Sequence, residues 1–333
     1  MFENNKNEEV TVNDLKFDNI VIDAVNLAHR LFKKDDDSSE VNLLSGKAIY
    51  KKFVVKYIET VEEFKKKYLH SEGNIYLLFD NYFSRLELQN AFMYADRKSL
   101  DGDYKKTRSK AVKEFYNSLN LIRYYYMIGP AQYKTARVEG LEADDLIKPL
   151  LDYHIKPGEK TLMITNDLDW SRYLSQDVYW LPKLSEDPQN SDDLSYKLGF
   201  KVNEASVTAY KAIFGDPSDN IPPVARLNDR TLEIFKDLLK NTKQASDFIT
   251  YERNWDSNLD SNNALLKSIS NNEKQFIINL QLVSNIPCKK EIFDQELITG
   301  RMAERLYRTL RQTLGLEETT RSFTFGKMKR PRV

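Results

Sequence analysis

Four short runs of β-branched and aromatic residues punctuate this sequence: Asn19–Ile22, Asn74–Phe79, Thr161–Ile164 and Val178–Leu181. Each has the length and apolar density of a buried strand. The stretches between them are longer and amphipathic. In residues 45–69, Ile49, Phe53, Tyr57, Val61, Phe64 and Tyr68 recur every three or four positions, the spacing of one helical face. Ala24–Lys34, residues 111–119 and Glu142–Leu151 also read as helices, and Leu121–Ile128 reads as a further strand. Strand alternating with helix predicts an α/β fold, with a mostly parallel central sheet and helices on both faces. Beyond about residue 182 the strand signal fades, Pro188–Asp193 reads as a polar connector, and helical patterns run from Asn203 to Leu316. The expected organisation is a loose leader (1–17), an α/β core (18–182), a helical region (183–316) and a basic tail (317–333).

Composition narrows the chemistry. Cys288 is the single cysteine of 333 residues, which excludes a disulfide framework and a cysteine-built zinc site. No apolar run approaches the ~20 residues of a membrane span. The first ten residues lack the basic and apolar regions of a secretory signal, so the expected location is cytoplasmic, without a membrane partner. Fifty basic residues balance fifty acidic ones, against a uniformly basic nucleic-acid binder. The charge is segregated, however. Arg97–Lys113 carries seven basic residues against two acidic, and the stretch from Arg321 onward carries five basic and no acidic residue.

The acids fall at strand and helix ends. Ligands of an open parallel sheet bind beyond the carboxyl ends of its strands. Asp23, Asp80 and Asp167 each follow a predicted strand, and Asp169 lies two residues further on. Glu142, Asp144 and Asp145 open a predicted helix, and Asp216 and Asp219 follow the apolar run Val207–Phe214. Alone, each is an ordinary cap or first-turn residue. Gathered on one rim they repel one another unless cations neutralise them. An all-oxygen donor set suits Mg²⁺, with Mn²⁺ as a substitute. Two such ions clamp the attacking and leaving oxygens of a phosphodiester, with no Ser, Cys or His nucleophile required.

Seven motifs stand in order along the chain: Val21–Arg30, Phe79–Asn81, Phe83–Glu87, Tyr104–Arg108, Glu139–Asp145, Ile164–Trp170 and Lys211–Ile221. Their order and spacing resemble the flap endonuclease/5′–3′ exonuclease family, particularly its phage members, over roughly residues 18–225. The resemblance implies a PIN-like 5′-nuclease core, a helical arch at about 82–118 that threads a 5′ single strand, and a C-terminal helical DNA-binding region. It assigns Asp23, Asp80, Glu142 and Asp144 to a first metal ion, and Asp145, Asp167, Asp169, Asp216 and Asp219 to a second. Lys105 and Arg85 then stabilise charge at the scissile phosphate alongside Asp144, Asp167 and Asp169, and Arg30 contacts phosphate. Tyr104 lies near the scissile nucleotide, and Lys106, Arg108 and Lys110 extend the phosphate-tracking stretch, which its own basic and aromatic composition independently suits.

The implied activity is Mg²⁺-dependent hydrolysis at the 5′ ends and flaps of DNA and RNA/DNA duplexes during replication, of the ribonuclease H primer-removal type, by a monomer (in the host cytoplasm if phage-encoded). One departure matters. Family members commonly follow the Gly215–Ile221 segment with a glycine-rich hairpin that binds duplex through a potassium ion. Pro222–Asn228 has no glycine here, which argues against a potassium site and leaves Arg226 and Arg230 as the expected duplex contacts. The segment from Arg85 to Tyr104 is also longer than in close relatives, which leaves flap-versus-gap preference open. The tail around Phe323 and Phe325 is a candidate docking segment for a sliding clamp or a single-stranded-DNA-binding protein. Two competing readings are a PIN-like endoribonuclease and a catalytically silent branched-DNA-binding protein.

Overall fold

Along the central strands, alternate side chains sort the apolar residues onto two faces. Ile20, Ile22, Ile75, Leu77, Leu162 and Ile164 join one buried cluster, whereas Val21, Tyr76, Leu78 and Met163 join the other. The computed structural model describes residues 15–32, 40–41, 46–81, 113–241 and 264–316. Its sheet contains β1 (Phe17–Asp23), β4 (Leu69–Leu78), β5 (Tyr133–Ala136), β6 (Thr161–Ile164), β7 (Val178–Leu181) and β8 (Ile298–Thr299), in the order β7-β6-β1-β4-β5-β8. All neighbours run parallel except β5 and β8. A small antiparallel pair, β2 (Glu40–Val41) and β3 (Ala48–Ile49), stands apart.

The first face is covered by α1 (Ala24–Leu31), α2 (Lys51–Tyr68), α3 (Lys113–Ile128) and, from the far end of the chain, α11 (Glu304–Leu314). The opposite face carries α4 (Ile147–Tyr153), α5 (Ser191–Leu198), α6 (Glu204–Phe214), α7 (Asp229–Asn241), α8 (Ala264–Asn271), α9 (Glu273–Val283) and α10 (Lys290–Glu296). The predicted α/β architecture is therefore the observed one. Among the described residues no helix is long and apolar enough to cross a membrane.

Three local readings need correction. Leu121–Ile128 is not a strand but the second half of α3. Its buried residues Ser118, Leu119, Ile122, Tyr125 and Tyr126 follow helical spacing, and the helix packs against the sheet, α2 and α11. The strand after it is Tyr133–Ala136, whose four residues are too few and too polar to show an apolar run. Pro188–Asp193 is not all connector: Asn190 accepts the N–H groups of Asp192 and Asp193, and Asp193 accepts the N–H of Asn190, so a capping box starts α5 at Ser191.

Candidate metal centre

Strand register assembles the rim. Asp23 pairs with Leu78, and Ile22 pairs with Ile164, so Asp23, Asp80 and residues 165–169 leave the sheet at one level. The chain proceeds from β1 to β4 and β5 on one side, then returns to β6 and β7 on the other. The crevice between β1 and β6 is thus the switch point where open α/β sheets bind ligands.

One half of the centre is held by neutral donors. Asp23 caps α1: its Oδ1 accepts the Asn26 N–H at 2.9 Å, and its Oδ2 accepts the Thr165 hydroxyl at 3.2 Å. Thr165 Oγ1 also accepts the Asp167 N–H at 3.1 Å. Asp167 caps the 3-10 turn Leu168–Tyr173, accepting the Asp169 N–H at 2.9 Å. Asp80 Oδ1 accepts the Ala143 N–H at 2.7 Å, tying the end of β4 to the segment bearing Glu142 and Asp144. Burial, then Asp80 and Asp167, raise the Asp23 carboxyl well above its ordinary value. Burial and Asp169 push Asp167 up to about 6, against the pull of Lys211.

The other half contains its own cations. Lys211, buried on α6, places Nζ 2.7 Å from Asp169 Oδ2 and 2.6 Å from Asp216 Oδ2. Arg172 pairs with Asp169 Oδ1 and donates from Nε to the Asp169 carbonyl at 2.9 Å. Its Nη1 reaches the Val283 carbonyl at 3.0 Å and Asn285 Oδ1 at 2.9 Å. Burial would raise Asp169 and Asp216, but Lys211, joined by Arg172 at Asp169, holds both below the usual carboxylate range. Burial alone would lower Lys211, but Asp169, Asp167 and Asp216 hold it above its usual range.

The turn after α6 is equally determined. Gly215 has φ +78°, and a Cβ there would lie 2.6 Å from the Ile221 carbonyl. That close approach lets Asp216 and Ile221 bridge, so Asp219 returns toward α6. The buried Asn279 amide donates to the Ala212 and Pro222 carbonyls, at 2.9 and 2.7 Å. Ligand oxygens of Asp169, Asp216 and Asp219 consequently lie within 4.8 Å of one another. Asp144 lines the same small cleft, together with Lys211 and Ile221.

The remaining predicted residues divide. Glu142 is buried beside this rim. Asp145 is buried too, but its two oxygens accept the Glu142 and Ile286 N–H groups, at 3.1 and 2.8 Å. Its carboxylate therefore holds the loop after α9 against the site. Arg30 lies on α1 within the field of Asp23, and its buried Nη1 has no hydrogen-bond partner among the described residues. Arg226 and Arg230 are exposed, before and within the first turn of α7. Arg85, Tyr104, Lys105, Lys106, Arg108 and Lys110 lie outside the described residues, as do the leader up to residue 14 and the tail from 317. Neither Lys211 nor Arg172 is among the sequence-predicted site residues. A lysine inside the apolar run Val207–Phe214 was the available signal for Lys211.

The donor set is carboxylate oxygen throughout, and among the described residues Asp23 and Asp167 are crowded by other acids and hydrogen-bonded to neutral donors. Both observations fit hard divalent ions. A family model described as the 5′–3′ exonuclease N-terminal resolvase-like domain matches residues 18–199. The chain belongs to the flap endonuclease/5′–3′ exonuclease family. Its relatives are hydrolases. A 5′–3′ exonuclease of Mycoplasmopsis pulmonis is 26% identical over 242 residues, covering 66% of this chain and 76% of that protein. A 5′–3′ exonuclease of Buchnera aphidicola from Acyrthosiphon pisum is 26% identical over 174 residues, covering 52% of this chain and 56% of that protein. The chain thus matches little more than half the length of that relative. In three dimensions it resembles a phage T5 protein co-crystallised with metal ions, at a TM-score of 0.57 and 17% identity over 89% of this chain and 99% of that one. At that identity the likeness establishes the fold.

Proposed function

We propose that the chain is a divalent-metal-dependent, structure-specific 5′ nuclease that cleaves phosphodiesters at the 5′ ends and flaps of DNA and RNA/DNA duplexes, in primer removal. The observation that carries this reading is the pair of adjoining buried and half-buried carboxylate sets at the switch point of the sheet. Asp23, Asp80 and Asp167, with Glu142 and Asp144, would hold one Mg²⁺, and Asp169, Asp216 and Asp219 a second. Bound ions would supply Lewis-acid polarisation of a water and of the phosphoryl oxygens, and would balance charge on the leaving oxygen. The chain's own part is to fix those oxygens. Thr165 aligns Asp23 with Asp167, the Ala143 N–H orients Asp80, and Arg172 and Lys211 orient Asp169. Arg30, close to Asp23, would draw a substrate phosphate toward the rim, with Arg85, Lys105 and Tyr104 acting from the arch.

Relatives support the substrate class. Besides the exonucleases, a DNA polymerase I of Caldicellulosiruptor bescii is 33% identical over 101 residues, 28% of this chain and 12% of that protein. A T5 flap endonuclease bound to DNA and metal ions has the same fold, with a TM-score of 0.55. The exposed Arg226 and Arg230 suit duplex backbone. The Thr231 hydroxyl donates to the Arg226 carbonyl at 2.7 Å and fixes the turn that carries Arg226.

The test is cleavage of an end-labelled 5′-flap duplex in Mg²⁺ by the Asp23→Asn/Asp167→Asn double variant. Cleavage is expected to be lost while the circular-dichroism spectrum is kept, and undiminished cleavage would refute the proposal. Running flap, nicked duplex, hybrid and single-stranded RNA in parallel separates it from an endoribonuclease. Wild-type flap binding in Ca²⁺ without turnover in Mg²⁺ would instead indicate a silent branched-DNA-binding protein.

A further inference from the structure

Two neighbouring arginines, one of them at the Asp80 edge of the metal centre, have no role in the site as described. Arg137 directly follows β5, and Arg123 lies on α3. Both are half-buried, and each has a buried Nε–H without a hydrogen-bond partner among the described residues. Neither is in an ion pair there. Arg137 makes one long contact, from Nη1 to Asn120 Oδ1 at 3.3 Å. A buried guanidinium N–H left unpaired costs free energy, so a native protein keeps one where something else satisfies it.

The surroundings indicate what that is. Tyr116, Asn120 and Arg123 are four and three residues apart and share one face of α3. Helical side chains lean toward the N-terminus, so Arg123 reaches along this face toward Asn120. Tyr116, Asn120 and Arg137 line one cleft with Val25, Phe79 and Asp80. The cleft therefore opens directly beside a carboxylate of the metal centre. Arg123 and Arg137 repel each other, the field of Glu296 reaches Arg123, and that of Asp80 reaches Arg137 without an ion pair among the described residues. Two like charges held together with unfilled donors form an anion site, and the forked guanidinium matches phosphate oxygens.

We propose that Arg137, supported by Arg123 and Asn120, is a phosphodiester-binding subsite that grips a backbone phosphate of the substrate strand passing the Asp80 edge of the metal centre. The inference rests on the nuclease reading and adds a second phosphate, next to but distinct from the one being cleaved. Arg137 is a binding residue in this scheme. It fixes where the strand lies relative to the metal ligands, so it sets which bond is presented for cleavage.

The experiment uses the full chain, as wild type, Arg137→Gln, Arg137→Lys and Arg123→Gln. Flap substrates carry a neutral methylphosphonate at one backbone position at a time around the cleavage point. Mn²⁺ binding to the DNA-free protein is titrated in parallel. For wild type, one position away from the scissile bond is expected to raise KM by about tenfold, the worth of one charge-assisted phosphate contact. In Arg137→Gln that position should lose its effect, the unmodified substrate should itself show about a tenfold higher KM, and Mn²⁺ affinity should be unchanged. Arg137→Lys should restore part of the loss, and Arg123→Gln should weaken the same position to a smaller degree. The subsite is overturned if every methylphosphonate penalty persists in Arg137→Gln, or if Mn²⁺ affinity falls in step with KM, which would make Arg137 a counter-charge for Asp80. Wild type failing to cleave the unmodified flap would instead count against the nuclease reading itself.

Discussion

The two halves of the acid centre solve the same electrostatic problem in opposite ways. Asp169 and Asp216 are buried with Lys211 between them, and Arg172 against Asp169. Asp23 and Asp167 are buried or half-buried against Asp80 and each other, with only neutral hydrogen-bond donors and no ion pair among the described residues. The first arrangement is neutralised by the fold. The second lacks such a cation on Asp23 and Asp167 among the described residues, and a divalent ion has most to gain there. The difference teaches that a cluster of acids is not one site. Its parts are told apart by where the chain supplies cations.

The largest effect that tests this contrast is on chemistry. Asp23→Asn is expected to slow flap cleavage by on the order of a hundredfold or more, the scale of losing one fixed electrostatic element of a reaction centre. In EDTA the same variant should be as stable as wild type or more so, because it removes a buried, repelled charge. A clear loss of stability in EDTA would show that Asp23 is already compensated.

Lys211→Met reverses the pattern. Removing the buried cation strands Asp216 and leaves Asp169 to Arg172 alone, and breaking a buried pair this way costs about 3–5 kcal/mol. Denaturant unfolding in EDTA should show that loss, and Mn²⁺ should recover much of it by taking the ammonium's place. Equal losses with and without Mn²⁺ would erase the distinction between the halves. Arg172→Lys is milder. It keeps the charge but gives up the fork that joins Asp169 to Val283 and Asn285, a loss of about 1–3 kcal/mol. Because those contacts bind the 3-10 turn to the end of α9, proteolysis should quicken first near residues 283–286.

Much of this was legible in the sequence. Strand runs ending in Asp23 and Asp80, and Thr161–Ile164 leading to Asp167, predict the rim, because parallel register leaves residues past strand ends no other place to go. Leu121–Ile128 reads as a strand because Arg123 is the one charged residue in that half of α3, too few to reveal the helical period that Asn117 and Asn120 continue. Tyr133–Ala136 is silent because Lys134 and Thr135 break its apolar run, whereas the equally short Thr161–Ile164 and Val178–Leu181 are apolar enough to read as strands. Lys211 and Arg172 were illegible for another reason. Whether a lysine in an apolar helix snorkels to solvent or enters the core depends on which acids the tertiary fold brings to it, here Asp169 from a turn 42 positions earlier. Asp145, beside Asp144, accepts two backbone N–H groups, contacts that its place in the sequence does not reveal.

The smallest predicted effect is on pH dependence, and it separates the halves by sign. Asp167 has a folded value of about 6 against an ordinary 3.8, so between those limits the folded protein retains a proton that the unfolded chain has released. Stability therefore falls as pH rises through that window. Asp169 and Asp216 are displaced downward, so their contribution is complete above the ordinary value and is lost only as pH falls below it. From pH 5 to 7 the Asp167 trend runs in the same direction as that of Asp23, whose carboxyl is also raised, with Asp169 facing it as an anion and Lys211 as a cation. In EDTA, Tm should drop by about a few degrees across that interval. With saturating Mn²⁺ the drop should vanish, because the ion replaces the proton as the neutralising charge. The Mn²⁺-induced rise in Tm should accordingly shrink as pH falls through about 6, since protons and ions compete for the same oxygens. An EDTA profile that is flat from pH 5 to 7, with an Mn²⁺ effect independent of pH, would mean that Asp167 is as well compensated as Asp169.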